Sequence, residues 1–256
     1  MSALLSTTDL TLRIGDRTLV EGLNLTIQPG ERWAVLGPNG TGKTTLLHTL
    51  AGLRPAQGGS VLWQGKALAV IPRRELAREL GLLLQDDSDP FPATVLETAL
   101  TGRHPHLGRW GWEGPTDLAL ARQALDTVDL ADLAERPLST LSGGERRRLA
   151  IATLLTQAPK LALLDEPTNH LDLHHQVTLL HKLREDFSRD GRALLVVLHD
   201  LNQALRHCDR LLLLYGDGRW EGGPATELAS AERLSNLYDQ PLRAIIDGTQ
   251  ALFVPA

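Results

Sequence analysis

The chain has 256 residues, 42% of them hydrophobic and 22% charged, with a net charge of -5 and one cysteine. Those proportions fit a folded chain with a real apolar core, either one large domain or two joined lobes. The acidic balance excludes a nucleic-acid binder that relies on counterion release, and the single Cys208 excludes an internal disulfide and a cysteine zinc site.

The first residues, Met1 to Leu5, hold no basic segment and no long apolar run, so no signal peptide is expected. The longest apolar runs, such as Ala193 to Leu198 and Leu211 to Tyr215, are too short to span a bilayer. From Asp9 to Pro29 short stretches alternate apolar and polar. Leu10, Leu12 and Ile14 share one parity, Leu23, Leu25 and Ile27 another, with turn signals at Gly15-Asp16 and Pro29-Gly30. This pattern predicts an antiparallel meander leading into a buried strand at Trp33 to Leu36. Next comes Gly37-Pro38-Asn39-Gly40-Thr41-Gly42-Lys43-Thr44, then Thr45 and an apolar helix start. This is the phosphate-binding loop pattern in its required strand–loop–helix setting. Glycines let successive amide N–H groups converge on one anion, and the helix adds the positive end of its dipole. Lys43 then supplies a point charge to the outer phosphates, and Thr44 a hydroxyl to Mg²⁺.

Val61 to Trp63 continues the β-rich lobe. Pro72 to Leu80 reads as a helix with Leu76 and Leu80 on one face, followed by a strand over Gly81 to Leu84 that ends at Gln85. Asp86 to Pro90 is an acidic loop. From Thr94 to Gln157 the periodicity is helical, interrupted by a Gly-, Pro-, His- and Trp-rich segment from Gly102 to Pro115. Residues 86–159 are therefore expected to form a helical insertion in a core built from 1–85 and 160–256, the whole being one domain. Leu161 to Asp165 is continuously apolar up to two carboxylates, Asp165 and Glu166, as suits a parallel strand covered on both faces. Leu171 to Phe187 is helical, Leu194 to Leu198 is a buried strand ending at His199-Asp200, and Leu201 to His207 is a short helix. A hairpin over Leu211 to Trp220 follows. The tail after Ala225 holds a helix and a strand near Ile245.

Polar groups thus stand just past the carboxyl ends of several expected parallel strands, where ligands bind in open α/β sheets. They are the phosphate loop, Gln85, Asp165-Glu166 and His199. Asp165 can hold Mg²⁺ beside Thr44. Glu166 can take the proton of an attacking water, a contribution of roughly 10²–10⁴-fold. His199 offers a ring N–H to the transferring phosphoryl group, and Gln85 an amide to Mg²⁺ or water. Leu141-Ser142-Gly143-Gly144-Glu145 opens a further helix, with Ser142 as its cap and free N–H groups behind it, a second anion site.

With these motifs in this order, the chain resembles an ATP-binding cassette (ABC) ATPase over essentially its full length. Gly37 to Thr44 match Walker A, Gln85 the Q-loop, Leu141 to Glu145 the signature, and Leu161 to Glu166 Walker B. Thr168 to Asp172 match the D-loop, and His199 the switch histidine. The resemblance implies an α/β fold: a P-loop NTPase (RecA-like) core with an antiparallel β-subdomain and an inserted α-helical subdomain. It also implies ATP and Mg²⁺ as ligands and a head-to-tail homodimer, in which the signature of one subunit covers the nucleotide held by the other. One phosphate loop and one signature per chain agree with that. Family members usually place an aromatic residue near position 14 to stack on adenine; here Ile14 stands there.

Within the family the chain resembles the ATPase of bacterial importers for ferric siderophores, haem or cobalamin, on Asp165 to Asp172 and on Thr101-Gly102-Arg103-His104-Pro105-His106. By that resemblance two copies dock on two membrane permeases, and a periplasmic or lipid-anchored binding protein delivers the substrate. The expected location is cytoplasmic, peripheral on the inner face of the membrane, with no nucleic-acid partner. Trp110 and Trp112 are candidates for the permease contact, or else pack within the helical lobe. His170, His174 and His175 read as a polar helix face rather than a metal site. Two other readings stay open: a soluble ABC ATPase such as a cluster-assembly ATPase, and a small-molecule P-loop kinase. The kinase reading leaves the signature unexplained.

Overall fold

The computed structural model describes residues 2–84, 92–108, 110–247 and 250–256. Strands β1 (Leu5–Ile14), β2 (Arg17–Leu23) and β3 (Thr26–Ile27) lead into β4 (Arg32–Leu36), helix α1 (Lys43–Leu50) and strands β5 (Gly58–Trp63) and β6 (Lys66–Ala67). One antiparallel sheet has the order β2-β1-β5-β6, with β3 also on β1. Leu10 and Leu12 turn inward as their parity predicts. Ile14 does not: it stands at the hairpin end, 51% exposed, paired with Arg17. The meander leads into β4, which joins a different sheet and pairs in parallel with β9 and β10.

The chain goes on through α2 (Arg73–Glu79), β7 (Leu80–Leu83), α3 (Val95–Leu100), α4 (Pro115–Thr127), α5 (Gly143–Gln157), β8 (Leu161–Asp165), α6 (Leu173–Asp186), β9 (Ala193–Val197), α7 (Leu201–His207) and β10 (Arg210–Leu214). It ends with β11 (Trp220–Pro224), α8 (Ala225–Leu228), α9 (Ala231–Tyr238), β12 (Leu242–Asp247) and β13 (Gln250–Pro255). The second sheet is six-stranded, in the order β11-β10-β4-β9-β8-β7. It is parallel except for the β10–β11 hairpin. Leu80, expected on a helix face with Leu76, instead opens β7, where pairing with Leu161 captures its backbone. Helix α6 starts at Leu173 rather than Leu171, because the Asp172 side chain caps it by accepting from the His175 N–H. The tail forms a two-stranded hairpin where a single strand was expected.

The parallel strands are apolar on both faces because each face meets a different core. Ala34, Leu36, Ala162, Leu164, Leu194, Val196, Leu211 and Leu213 join the helices in one cluster. Their alternates, Trp33, Val35, Leu161, Leu163, Leu195, Val197, Leu212 and Leu214, join α1 and the antiparallel sheet in the other. Fully burying one such side chain is worth about 1.5–3 kcal/mol. Helices α3, α4 and α5 add Val95, Ala99, Ala121, Leu125, Ile151 and Ala152 to the first cluster. Arg103 fastens the turn between α3 and α4: its Nε sits 2.7 Å from Asp117 Oδ1, and its Nη1 donates to Thr156 O. This stacking places the carboxyl ends of β4, β7, β8 and β9 side by side.

Candidate functional site

Gly37 leaves β4 with φ +152°, and a Cβ there would lie 2.3 Å from Leu214 O on β10, so no other residue fits. Gly42 opens α1 in the left-handed region at φ +98°, with Leu19 so close that a Cβ would sit 2.9 Å from it. Between them Thr41 Oγ1 donates to Pro38 O at 3.0 Å and closes the turn through Asn39 and Gly40. Lys43 is buried, and its Nζ donates to Gly37 O at 2.7 Å and Pro38 O at 2.9 Å. Burial lowers its pKa, opposed by the charges of Glu166 and Asp165. The ammonium is thereby folded against the carbonyls of its own loop. Thr45, also buried, continues α1, and its carbonyl accepts from the Thr49 hydroxyl.

Asp165 ends β8, buried at 1% exposure, facing the Thr44 side chain. Desolvation raises its pKa; the Thr44 hydroxyl counters, and the neighbouring Glu166 charge adds to the rise. Neither carboxylate oxygen receives a well-formed hydrogen bond. A buried carboxylate beside a hydroxyl, with both oxygens so placed, is a donor set that suits a hard divalent cation.

Glu166 leaves the strand with φ +48° and turns its carboxylate to two partners. His199 Nε2 lies 2.6 Å from Oε1, and Asn169 Nδ2 donates to Oε2 at 2.5 Å. His199 follows β9, while Asp200 next to it caps α7 by accepting from the Asn202 and Gln203 N–H groups. Lys43, Thr44, Asp165, Glu166 and His199 therefore share one place at the carboxyl edge of the sheet. Gln85 lies outside the described residues.

Leu141, Ser142, Gly143, Gly144 and Glu145 lie at the start of α5, where Ser142 and Glu145 bond each other. Ser142 Oγ accepts from the Glu145 N–H at 3.2 Å, and Glu145 Oε2 accepts from the Ser142 N–H at 2.7 Å, a capping box at the start of α5. The Ser142 backbone N–H holds the Glu145 carboxyl below its ordinary range. Ser142 and Gly143 are exposed, so the helix end is open to a partner. Asp172 caps α6 and meets His175 Nδ1 at 2.8 Å. Trp110 and Trp112 are 90% and 89% exposed, so they do not pack within the helical lobe. Cys208 is a buried core residue, its thiol pushed up to about 12 by desolvation.

Asn169, read from the sequence only as part of the D-loop match, orients Glu166, and three further residues near the site escaped sequence reasoning. Arg17 donates to Gly216 O at 3.0 Å and reaches over Gly40. Tyr238, closing α9, lies against the Gly37 backbone and near Asp200; burial pushes its hydroxyl up to about 12. Arg147 on α5 is buried and bonds the carbonyls of Leu84, Asp165 and Glu166. Arg147 does carry a signal: helical spacing puts it on the same face as Ile151 and Leu154.

The sequence profile of the family described as ABC transporter matches residues 20–169. The hemin import ATP-binding protein HmuV of Gloeobacter violaceus is 47% identical over 211 residues, covering 79% of this chain and 75% of the relative. The iron(3+)-hydroxamate import ATP-binding protein FhuC of Bacillus subtilis is 36% identical over 243 residues, covering 95% and 90%. Among solved structures, an ABC transporter provisionally classed as metal-chelate type, in an inward-facing conformation, superposes with TM-score 0.85 at 29% identity, over 100% of this chain and 98% of that one. The ATP-binding cassette MJ0796, dimeric with ADP and Pi after hydrolysis, gives TM-score 0.73 at 28% identity, over 85% and 97%.

Proposed function

This chain belongs to the ABC transporter family, and from that premise we propose that it is the ATP-hydrolysing subunit of an importer for a metal chelate, such as a ferric siderophore or haem. It binds ATP and is an ATPase. The observation that carries the catalytic reading is the Glu166 carboxylate, held by Asn169 and His199 one residue past the buried Asp165. Glu166 is the general base for the attacking water, and His199 steadies the transferring phosphoryl group. Lys43 and the backbone N–H groups of the loop from Gly37 to Thr45, Pro38 excepted, hold the phosphates. Thr44 and Asp165 would hold Mg²⁺, and the ion would neutralise charge on the phosphate oxygens; Gln85, expected from the sequence to add an amide to it, is outside the described residues. The half-exposed Ile14 and the planar Arg17 guanidinium form the wall for adenine, in place of an aromatic ring.

The partners follow from the open helix end at Ser142. A second copy supplies each nucleotide with the signature residues Leu141 to Glu145 in trans, and Asp172 lies at the seam. A groove of about 560 Å³ between α2, β7, α3 and α5, lined by Ala77, Leu82, Leu84, Thr101, Pro105 and Thr153, takes a segment of the permease. The chain segment along it continues in sequence to Trp110 and Trp112, which add exposed aromatic surface. Among the described residues no helix is long and apolar enough to cross a membrane, so the permease provides the membrane contact. A periplasmic or lipid-anchored binding protein would serve the permease from outside. Residues 1–85 and 160–256 act as the nucleotide-binding core and 86–159 as the helical arm of one domain.

Purification of the tagged chain from membranes tests this reading. Recovery with a polytopic permease, and ATPase activity stimulated by the chelate with its binding protein, are expected. Recovery with soluble partners alone overturns the importer assignment and leaves a cassette uncoupled to transport.

A further inference from the structure

Arg147 lies on α5, little more than one turn from the Ser142 cap, and is 5% exposed. Taking a guanidinium out of water costs several kcal/mol, which hydrogen bonds to its donors must offset. Here it reaches main-chain carbonyls on two other elements. Nη1 donates to Leu84 O at 2.5 Å, and Nη2 donates to Asp165 O and, at 2.9 Å, to Glu166 O. An apolar side chain would fill the same space without that desolvation. What the arginine adds is a fixed link between α5, the end of β7 and the backbone turn that carries Glu166.

A second contact between α5 and that turn is independent of the first. At Gly144 a Cβ would stand 3.2 Å from His170 O and 3.6 Å from Leu171 Cδ2, so the helix start presses directly on the turn's far end. The turn is held in a sparsely populated backbone state, with Glu166 at φ +48° and His170 at φ +64°. One helix therefore grips it at both ends, by Arg147 at Glu166 and by Gly144 at His170. Asn169, which orients the Glu166 carboxylate, lies between the two.

We propose that Arg147 is a positioning residue that couples the two ATP sites of the dimer. A phosphate engaged by Ser142 at the start of α5 sets, through Arg147, the turn that aims Glu166 at the other nucleotide. This rests on the reading that the signature acts in trans and that Glu166 is the base. The α5 of each subunit then touches the nucleotide held by its partner, while Glu166 of the same subunit serves its own. A rigid helix between them gives the sites a coupling free energy, which is reciprocal.

The test uses R147Q and R147K in the full chain. It measures turnover against ATP concentration, binding of a fluorescent ATP analogue to the monomer, and thermal melting. The expected result for R147Q is turnover lowered about ten-fold or more, with monomer affinity held within about two-fold. The Hill coefficient falls from near the number of sites, about 2, toward 1. R147K keeps the charge but loses the fork, so it falls between. It decides the matter if R147Q does not fold. A lower melting temperature with wild-type turnover and Hill coefficient assigns Arg147 a purely structural role and overturns the proposal. So does a wild-type Hill coefficient of about 1. E166Q separates the two layers. If E166Q turns over normally, the underlying reading fails. If E166Q stalls while both Arg147 variants stay cooperative and fast, the coupling alone fails.

Discussion

Replacing Glu166 with glutamine is the sharpest perturbation the site allows, because the shape is kept and only the charge and basicity go. The glutamine oxygen can still accept from Asn169 Nδ2, which now lies 2.5 Å from Oε2. Its amide can donate to His199 Nε2, now 2.6 Å from Oε1, once the ring proton sits on Nδ1. The fold therefore loses the difference between charged and neutral hydrogen bonds, about 1 kcal/mol. Turnover loses the general base, roughly 10²–10⁴-fold, or about 2.7–5.5 kcal/mol of barrier. Lys43, Thr44 and Asp165 are untouched, so ATP still binds, and with hydrolysis stalled the dimer accumulates. Phosphate release under saturating ATP reads the first effect. Light scattering behind a sizing column reads the second, as a shift from monomer to dimer that needs ATP. Turnover within about three-fold of wild type, or no ATP-dependent dimer, refutes the role given to this carboxylate.

Lys43→Ala removes the buried ammonium that holds Gly37 O and Pro38 O, and nucleotide binding by isothermal titration should weaken by at least about ten-fold, the loss of one charge-assisted contact of about 1.5–3 kcal/mol. Phe187→Ala empties a fully buried site and should cost about 3–5 kcal/mol in urea unfolding, with ATP turnover of the surviving folded fraction unchanged. His207 is buried with both ring nitrogens unpartnered, and desolvation followed by the charges of Arg184 and Arg206 lowers its pKa to about 4. The unfolded state then binds the proton first, so stability is complete above about pH 6.5 and is lost as pH falls toward 4, about 2 kcal/mol of it between pH 7 and 5. His207→Leu should flatten that acid slope in melting curves, and an unchanged slope would assign the loss to other groups.

How far the sequence carried this differs by element. The phosphate loop, Asp165, Glu166 and His199 were legible because each follows a short, unbroken apolar run, which marks a parallel strand and so one sheet edge. Arg147 was legible only in part: its spacing to Ile151 and Leu154 marks an inward face, but local sequence does not show which carbonyls lie beneath. Arg17 and Tyr238 meet the loop from elements distant in the chain, through contacts that only tertiary packing creates. The terminal hairpin did have a cue: an Asp-Gly pair at 247–248 between the apolar runs Ile245-Ile246 and Leu252 to Val254. Leu80 shows the opposite failure, where a helical spacing with Leu76 was overruled by pairing with Leu161.

The strands β4, β8, β9 and β10 form a party wall, each lending alternate side chains to the cores on its two sides. Neither half can melt and leave the other standing, because whichever goes first strips one face of the same four strands. Scanning calorimetry should therefore give one heat-absorption peak whose van't Hoff and calorimetric enthalpies agree. Helices α3, α4 and α5 are thereby thermally bound to the strands that carry the phosphate loop.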